Sequence, residues 1–275
     1  MEGAFSTGRA VRTERGRGAL GARNSRALRI IFSRKGFDSS ELGGGGPSPI
    51  VDGRPISLPI PDTKGLAPTT YGERGFGELA AAASRGRLSH LDLCHDDPMF
   101  LSEGRCVFGQ CGGAQTHLDR QGVSIGDVFL FFGWFSGEGQ GDHHRIFGYL
   151  EVEKIVRLDG ADDATRQRFA DLGHPHAFGF HHANRSDTLY VGKGRTASHA
   201  SDALRLTREG MTRTHWRVPA WLHEVGLSYH RGAHRWPAPD HLISVAQGQE
   251  FVADIGKRKD ARAWLAAILA EINRS

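Results

Sequence analysis

The chain has 275 residues, of which 39% are hydrophobic, and this is enough apolar material for one large packed domain or two small ones. Its 35 Lys and Arg outnumber its 31 Asp and Glu, which gives a formal net charge of +4. The longest apolar run, residues 128–135, is far shorter than the roughly 20 residues that cross a bilayer, so we expect no membrane partner.

The first 26 residues carry the whole charge excess. They contain six arginines and two glutamates, whereas the rest of the chain is formally neutral, with 29 basic and 29 acidic residues. This composition, rich in Gly, Arg and Ser, is typical of disordered chain, so we predict a disordered basic tail over residues 1–27 and a single domain over residues 28–275. The tail could be upstream sequence without function, a polyanion-binding arm or a targeting peptide.

The first half of the body contains short predicted elements. A β-branched, apolar run predicts a buried strand over residues 27–33, and a second short strand is predicted within residues 50–60, where prolines lie at both ends. An alanine-rich helix is predicted over residues 78–85, with Gly86 placed to end it.

The clearest pattern covers residues 123–156. It combines an apolar strand, a polar glycine-rich loop and a second apolar strand, which predicts an antiparallel pair joined by a loop too long for a tight hairpin. The first of these strands shows no alternation of polar and apolar residues, so we expect both of its faces to be buried.

The remaining elements complete an α+β pattern. A short helix is predicted over residues 162–171, strands over residues 188–191 and 242–252, and an amphipathic helix over residues 259–272. We predict an α+β fold that is mostly β, with a mixed or antiparallel barrel-like sheet and flanking helices.

The segment SRKGFDSS follows the first predicted strand, and strand ends are common places for ligand contacts. Arg34 and Lys35 supply two cations. Asp38 and Ser39 add a carboxylate and a hydroxyl, and together with loop N–H groups the segment could hold a phosphate. The segment is not a P-loop, because GxxxxGK[ST] is absent, and its other interpretation is a solvated polar turn.

The segment HLDLCHDD, residues 90–97, packs two histidines, three carboxylates and a thiol into eight residues. On a strand, His90, Asp92 and Cys94 would point the same way and could form an acid/base pair or a metal site. The alternative is an acidic surface loop that ends in a turn at Asp97 and Pro98.

Amides beside glycines form a third pattern. Gln110 follows Phe-Gly, and Gln249 and Glu250 follow Gln-Gly. A glutamine side chain can make two hydrogen bonds in one plane, as the edge of a nucleobase requires, and a neighbouring glycine allows close approach of a ligand. The alternative for each is a loop whose polar groups bond locally.

Histidines cluster in the second half of the chain, where His144 and His176 could contact a ligand or act as bases near neutral pH. The string HPH cannot form a helical i, i+4 metal pair, HExxH is absent, and the three cysteines form no CxxC pair. We therefore assign no metal ligand and identify no cofactor. The free thiols suit a reducing compartment and predict a cytoplasmic protein.

Taken in order, the strings IIFSRKGFDSS, HLD, FGQCGGAQTHL, GDVFLFFGWF, HRIFGYLEV, LSYHRGAHRW and GQEFV resemble the third type of nucleotide modification associated domain. Genomic context places that family in phage and bacterial systems that hypermodify DNA bases. The resemblance covers residues 28–254 and excludes the tail and the last helix. It implies a nucleotide or nucleic acid as partner, alongside other base-modification enzymes. By position it carries over these polar residues: Arg34, Lys35, Asp38, Ser39, His90, Asp92, Gln110, His144, His176, Gln249 and Glu250.

One departure bears on mechanism. The family's expected HLDPDL reads HLDLCHDD in this chain, so Asp92 matches and the second carboxylate is displaced. A separate likeness concerns fold alone, because the strand pair within residues 123–156 is similar to that of PUA-like and ASCH-like barrels, which bind RNA or modified bases.

Three functional hypotheses follow. The first is an enzyme acting on a nucleotide or base, in which Arg34 and Lys35 hold phosphate and Gln110 and Gln249 read the base edge. Asp38, Asp92 and His90 are its acid/base candidates. The second is a non-catalytic reader of modified nucleic acid on a PUA-like barrel. The third is a metal-dependent hydrolase.

Overall fold

The structure is a computed structural model that describes residues 27–37, 45–62, 65, 67–137, 139, 141–178, 187–245 and 250–274. The tail predicted over residues 1–27 lies outside this range except for Ala27, so its disorder stays a prediction, as does the single-domain organisation.

The described residues form thirteen strands and five α-helices. The strands are β1 (Leu28–Arg34), β2 (Ser48–Val51), β3 (Arg54–Pro55), β4 (Ile60–Pro61), β5 (Cys94–His95), β6 (Met99–Leu101), β7 (Arg105–Gln110), β8 (Val128–Ser136), β9 (His143–Arg157), β10 (Thr188–Thr196), β11 (His215–Arg217), β12 (His241–Ile243) and β13 (Glu250–Gly256). The helices are α1 (Gly77–Ala83), α2 (Gly112–Arg120), α3 (Asp163–Asp171), α4 (Ala220–Val225) and α5 (Lys259–Ile272).

Nine strands make one mixed sheet in the order β13-β1-β8-β9-β10-β7-β6, with β2 paired to the end of β8 and β3 paired to β2. Strand β1 runs parallel to β8, and β8 runs antiparallel to β9. Strand content exceeds helix content, at 34% against 26%. The predicted α+β class with a mixed, mostly β structure is therefore confirmed.

The sheet is strongly curved, although its strand order is open and it is not closed into a barrel. The ring centroid of Phe108 on β7 lies 5.1 Å from that of Phe129 and 5.4 Å from that of Phe131, both on β8, although β9 and β10 separate the two strands. Contacts across two intervening strands require a deep concave face. The sheet is barrel-like in its curvature, as predicted. It differs from closed PUA-like barrels because its strand order is open.

The two faces of the sheet bury different cores. The concave face holds an aromatic core that includes Phe108, Phe129 and Phe131. The convex face is covered by α4, α5 and a strand with Trp216. Strand β8 contributes to both cores, which confirms the expectation that both of its faces are buried.

The spacing of apolar residues in the sequence determines helix α5. Ala261, Leu265, Ile268 and Ile272 recur at helical spacing and are all buried against the convex face. The predicted bounds, residues 259–272, match the observed helix.

Two predicted segments are divided in the structure. The strand expected within residues 50–60 is a small hairpin, because Asp52 and Gly53 both adopt positive φ, as a tight two-residue turn requires. The segment 242–252 contains β12 and β13, whose connection lies in the undescribed residues 246–249. Helix α2 and strand β7 were not predicted.

Candidate functional site

One end of the curved sheet holds a buried group of four polar residues, called here the Glu250 cluster: Ser33, Lys35, Gln110 and Glu250. Oε1 of Glu250 accepts a hydrogen bond from Gln110 Nε2 at 2.8 Å and one from Lys35 Nζ at 3.1 Å. It also accepts a hydrogen bond from Ser33 Oγ at 3.2 Å. Because β13 is the first strand in the sheet order and β7 the sixth of its seven, these bonds bridge the opening of the sheet.

The charges of the Glu250 cluster balance. Lys35 and Glu250 are 8% and 2% exposed, so their ion pair is internal, and Lys35 Nζ lies 4.2 Å from the centroid of the Phe108 ring. Oε2 of Glu250 has no hydrogen-bond partner among the described residues. The Lys35 ammonium is therefore engaged inside the protein.

A second buried group, the Asp97 site, consists of Asp97, His95, His174, His176 and Asp187. Oδ1 of Asp97 accepts a hydrogen bond from the Gly109 N–H at 2.9 Å, and Nε2 of His174 lies 3.4 Å from the same oxygen. The His176 N–H donates to Nδ1 of His174 at 3.3 Å, which places the ring proton of His174 on Nε2, facing Asp97. One oxygen of the carboxylate is thus fixed by its neighbours.

The other oxygen, Oδ2, faces two more imidazoles. Nε2 of His176 lies 3.7 Å from it and Nε2 of His95 lies 3.9 Å from it, both beyond hydrogen-bond distance. Nδ1 of His176 lies 3.0 Å from Oδ1 of Asp187. Since an ionised carboxylate only accepts hydrogen bonds, Nδ1 carries the proton, and Nε2 of His176 presents its lone pair toward Asp97.

Burial shifts the charge states of the Asp97 site. Burial alone would raise the pKa of Asp97, but the neighbouring imidazoles of His174, His95 and His176 outweigh it and hold the pKa below its ordinary range. Burial lowers the pKa of His176 to about 4, although Asp187 acts in the opposite direction. At neutral pH the site therefore combines an ionised carboxylate with a neutral imidazole.

Strand β7 and the residue after it connect the two groups. Gly109 lies under the His176 ring, where a methyl group would overlap the imidazole. The next side chain, Gln110, reaches the Glu250 cluster, and its Oε1 accepts the Cys111 N–H at 3.0 Å. Three consecutive residues thus position both groups.

A cavity of about 160 Å³ opens beside Asp97. Gly36, from the predicted phosphate-binding segment, forms part of its wall with a φ of 113°, a conformation that favours glycine. Arg74 and Asp96 form an ion pair in the same wall, and burial, partly offset by Arg74, raises the pKa of Asp96.

The rest of the cavity wall is largely apolar. The rings of Phe76, Phe100 and Phe147 contribute to it, together with Leu58 and Pro59. Aromatic walls with a few charged groups at one side are typical of sites for small planar ligands.

The structure brings some predicted site residues together. Lys35, Gln110 and Glu250 form one cluster, and His176 lies in the neighbouring Asp97 site. Asp38, Ser39 and Gln249 lie outside the described residues.

Other predicted residues lie elsewhere. His144 is on the convex side, where its Nδ1 accepts the indole N–H of Trp216 at 3.0 Å. Burial and the nearby positive charges of Arg34 and Arg213 lower the pKa of His144 to about 3. His90 is exposed, and Oδ2 of Asp92 closes a turn by accepting hydrogen bonds from the N–H and hydroxyl of Ser89. The catalytic roles of His90 and Asp92 and the ligand-binding role of His144 stay predictions.

Sequence reasoning missed most of the Asp97 site. The strings HLDLCHDD and HPH were both recognised as unusual, but the prediction favoured Asp92 over Asp97 and did not connect the two strings. The available signal was the His-x-Asp spacing of His95 and Asp97. Asp187 carries no sequence signal.

Two groups of the described residues could hold a metal ion. His95, Asp97 and His176 form one, and Cys111, His176 and Asp187 form the other. In each group the three potential ligand atoms lie within 4.8 Å of one another. The groups share His176.

Fold and site together define an α+β protein with a buried histidine–carboxylate site at the rim of a curved mixed sheet. The family model of nucleotide modification associated domain 3 matches residues 29–254, and the chain belongs to this family. The match begins in β1 and ends in β13, as the resemblance predicted. This membership assigns the chain a role in nucleotide modification.

Searches for other relatives gave no match among curated proteins or among solved structures. In the described part of the chain, every helix is too short or too polar to cross a bilayer.

Proposed function

We propose that the chain is an enzyme that modifies a nucleotide or a nucleic-acid base, with the Asp97 site as its active site. The observation that carries this proposal is the position of Asp97. It is a buried, ionised carboxylate surrounded by three histidines, and it also forms part of the wall of the cavity. Buried carboxylate–histidine arrangements beside a cavity are typical of catalytic sites.

The cavity suits a base as substrate. Phe76, Phe100 and Phe147 offer faces and edges against which a planar ring can pack. Asp96 can accept a hydrogen bond from an exocyclic amino group, and Arg74 can donate to a carbonyl or a phosphate. A space of about 160 Å³ cannot admit a duplex, so a base in DNA would have to leave the stack to reach Asp97.

The chemistry of the site follows from its proton positions. Asp97 is ionised and can accept a hydrogen bond from a bound base or stabilise positive charge that develops on it, while His176 is neutral and is oriented by Asp187. A neutral, oriented imidazole can accept a proton from the bound base. The Glu250 cluster is connected to the Asp97 site through strand β7. Gln110 of the cluster directly follows Gly109, whose N–H donates a hydrogen bond to Asp97.

The test compares the two carboxylates of the segment HLDLCHDD. The family resemblance predicts Asp92, whereas the cavity favours Asp97. Asp97→Asn and Asp92→Asn are expressed separately in a host with modified DNA, with the exposed Asp163→Asn as a control, and the nucleosides are measured by mass spectrometry.

We expect Asp97→Asn to abolish the modified nucleoside at wild-type protein level, and Asp163→Asn to leave it unchanged. An unchanged nucleoside profile in Asp97→Asn would overturn the proposal. Loss of the product in Asp92→Asn alone would transfer the catalytic role to the turn at Ser89. Binding of a modified base without any mass change, in wild type and Asp97→Asn alike, would instead support a non-catalytic reader.

A further inference from the structure

The geometry points to a divalent transition-metal ion bound by Asp97 Oδ2 and the Nε2 atoms of His95 and His176. The inference rests on the proposed function, because it adds a cofactor to the same site, but metal binding can be measured without any reaction. The ligand set of two imidazoles and one carboxylate is one that iron, zinc, cobalt and manganese ions accept in proteins.

The first argument is electrostatic. Nδ1 of His176 donates to Asp187, so the Nε2 lone pair of His176 points toward the Asp97 carboxylate at 3.7 Å. A lone pair and an anionic oxygen that face one another repel. A cation between them turns the repulsion into two coordinate bonds.

The second argument is distance. Metal–ligand bonds of about 2.0–2.1 Å place neighbouring ligand atoms of a tetrahedral site roughly 3.3 Å apart. The two distances from Asp97 Oδ2, 3.7 and 3.9 Å, require a closure of only a few tenths of an ångström. They are too long for hydrogen bonds, and all three ligand atoms lie within 4.8 Å of one another, so the three groups leave room for an ion.

The third argument is the support behind each ligand. Metal-binding histidines usually donate their other ring N–H to a carboxylate, as His176 does to Asp187. Asp97 is oriented through its other oxygen by Gly109 and His174. The side chain of His95 is 20% exposed, which leaves a path for the ion to enter.

The competing group of Cys111, His176 and Asp187 fits less well. Nδ1 of His176 and Oδ1 of Asp187 are 3.0 Å apart, which is an ordinary hydrogen bond and is shorter than the tetrahedral spacing of ligand atoms. That contact is therefore the outer support of the metal site, and Cys111 is not a ligand.

The experiment is a titration of chelator-treated full-length protein with Co²⁺, followed by visible absorption and calorimetry, and then competition with Zn²⁺. We expect one Co²⁺ per chain and a rise in Tm on metal addition. Asp97→Asn and His176→Gln should each weaken binding at least 100-fold, and Asp187→Asn should weaken it 10- to 100-fold. The exposed His234→Gln is the matched control and should bind as the wild type does.

Cys111→Ser separates the two candidate groups. Wild-type Co²⁺ protein without a thiolate charge-transfer band, and unchanged binding by Cys111→Ser, are the expected results. A thiolate band that disappears in Cys111→Ser would overturn the assignment in favour of the other group.

The inference is overturned if wild-type protein binds none of Co²⁺, Zn²⁺, Fe²⁺ or Mn²⁺, with folding checked by circular dichroism. It is also overturned if Asp97→Asn and His176→Gln fold and bind Co²⁺ as tightly as the wild type. Loss of base modification in Asp97→Asn without metal binding by the wild type would retain the proposed function and remove the metal. Stoichiometric metal binding with no modification of any base would retain the metal site and remove the proposed function.

Discussion

The Glu250 cluster and the Asp97 site are both buried polar groups connected through β7, yet they are built differently. In the Glu250 cluster a lysine, an amide and a hydroxyl all donate to one carboxylate oxygen at 2.8 to 3.2 Å. In the Asp97 site, Oδ2 of the carboxylate faces imidazole nitrogens at 3.7 and 3.9 Å. In the first group donors face an acceptor, whereas in the second the lone pair of His176 Nε2 faces a carboxylate oxygen.

This difference separates a structural role from a functional one. An internal charge pair bridges the opening of the curved sheet, where the strand order of the described residues contains no main-chain pairing between β13 and β7. The neighbouring site places an ionised carboxylate and imidazole nitrogens beside a cavity, as binding or catalysis requires. Changes in the Glu250 cluster should therefore act on stability, and changes in the Asp97 site should act on ligand binding.

The largest expected effect is that of Lys35→Met. It leaves the Glu250 carboxylate buried without its cation, which should lower the free energy of unfolding by about 3–5 kcal/mol, measured by urea denaturation. Lys35→Met combined with Glu250→Gln removes both charges and should recover most of the loss. A double variant as unstable as the sum of the two single variants would show that the pair does not act as a unit.

The sequence predicted long periodic elements well and long-range contacts poorly. Helix α5 was predicted in full because its apolar residues repeat at helical spacing over fourteen positions. Strand β7 and helix α2 were missed because Gly109, Gly112 and Gly113 interrupt their patterns. A glycine is required at position 109 because the His176 ring packs directly against it. Gly109 and His176 are far apart in the sequence, so no local sequence pattern indicates their contact.

The same limit applies to the site. Gln110 and Glu250 were selected individually, but their bond joins residues 140 positions apart and depends on the curvature of the sheet. Asp92 and Asp97 belong to one string, and they are distinguished by the contacts of Asp97 with residues distant in sequence, such as Gly109 and His176. These contacts depend on how the chain folds over β7.

A second prediction concerns His230, a buried histidine whose two ring nitrogens both have hydrogen-bond partners. Nε2 of His230 accepts the Val245 N–H at 3.1 Å, and its Nδ1 donates to the Ser228 carbonyl at 2.8 Å. Burial lowers the pKa of His230 to about 4. The unfolded chain therefore binds a proton at higher pH than the folded protein does.

The stability contributed by neutral His230 is complete above the unfolded pKa of about 6.5 and is lost as pH falls toward 4. The loss should reach about 3 kcal/mol, measured by urea denaturation between pH 7 and 4. His230→Gln should flatten this slope, whereas the exposed His234→Gln should leave it unchanged. Equal slopes in wild type and His230→Gln would contradict the prediction.

The third prediction uses two glycines near the end of β7. Gly109→Ala places a methyl group into the His176 ring, so the ring must move away from Asp97, at a cost of about 1–3 kcal/mol in unfolding free energy. Co²⁺ affinity should fall as well. Gly113→Ala, in α2, meets no atom within 4 Å and should stabilise the helix by about 0.5–1 kcal/mol. Unchanged Co²⁺ binding by Gly109→Ala would mean that metal binding does not require the His176 ring to pack against Gly109.

The smallest expected effects are those of two serine substitutions, one in the Glu250 cluster and one in the wall of the cavity beside Asp97. Ser33 donates to Glu250, and Ser33→Ala should cost about 1 kcal/mol of unfolding free energy while leaving Co²⁺ binding unchanged. Ser57 lies in the cavity wall beside Gly36, so Ser57→Ala should change stability by less than about 0.5 kcal/mol and act instead on the binding of a nucleotide. Calorimetric titration with nucleotides, alongside urea denaturation, measures both. If Ser33→Ala weakened nucleotide binding and Ser57→Ala did not, the substrate would lie against the Glu250 cluster, and its Oε2 atom, rather than the Asp97 cavity, would face the ligand.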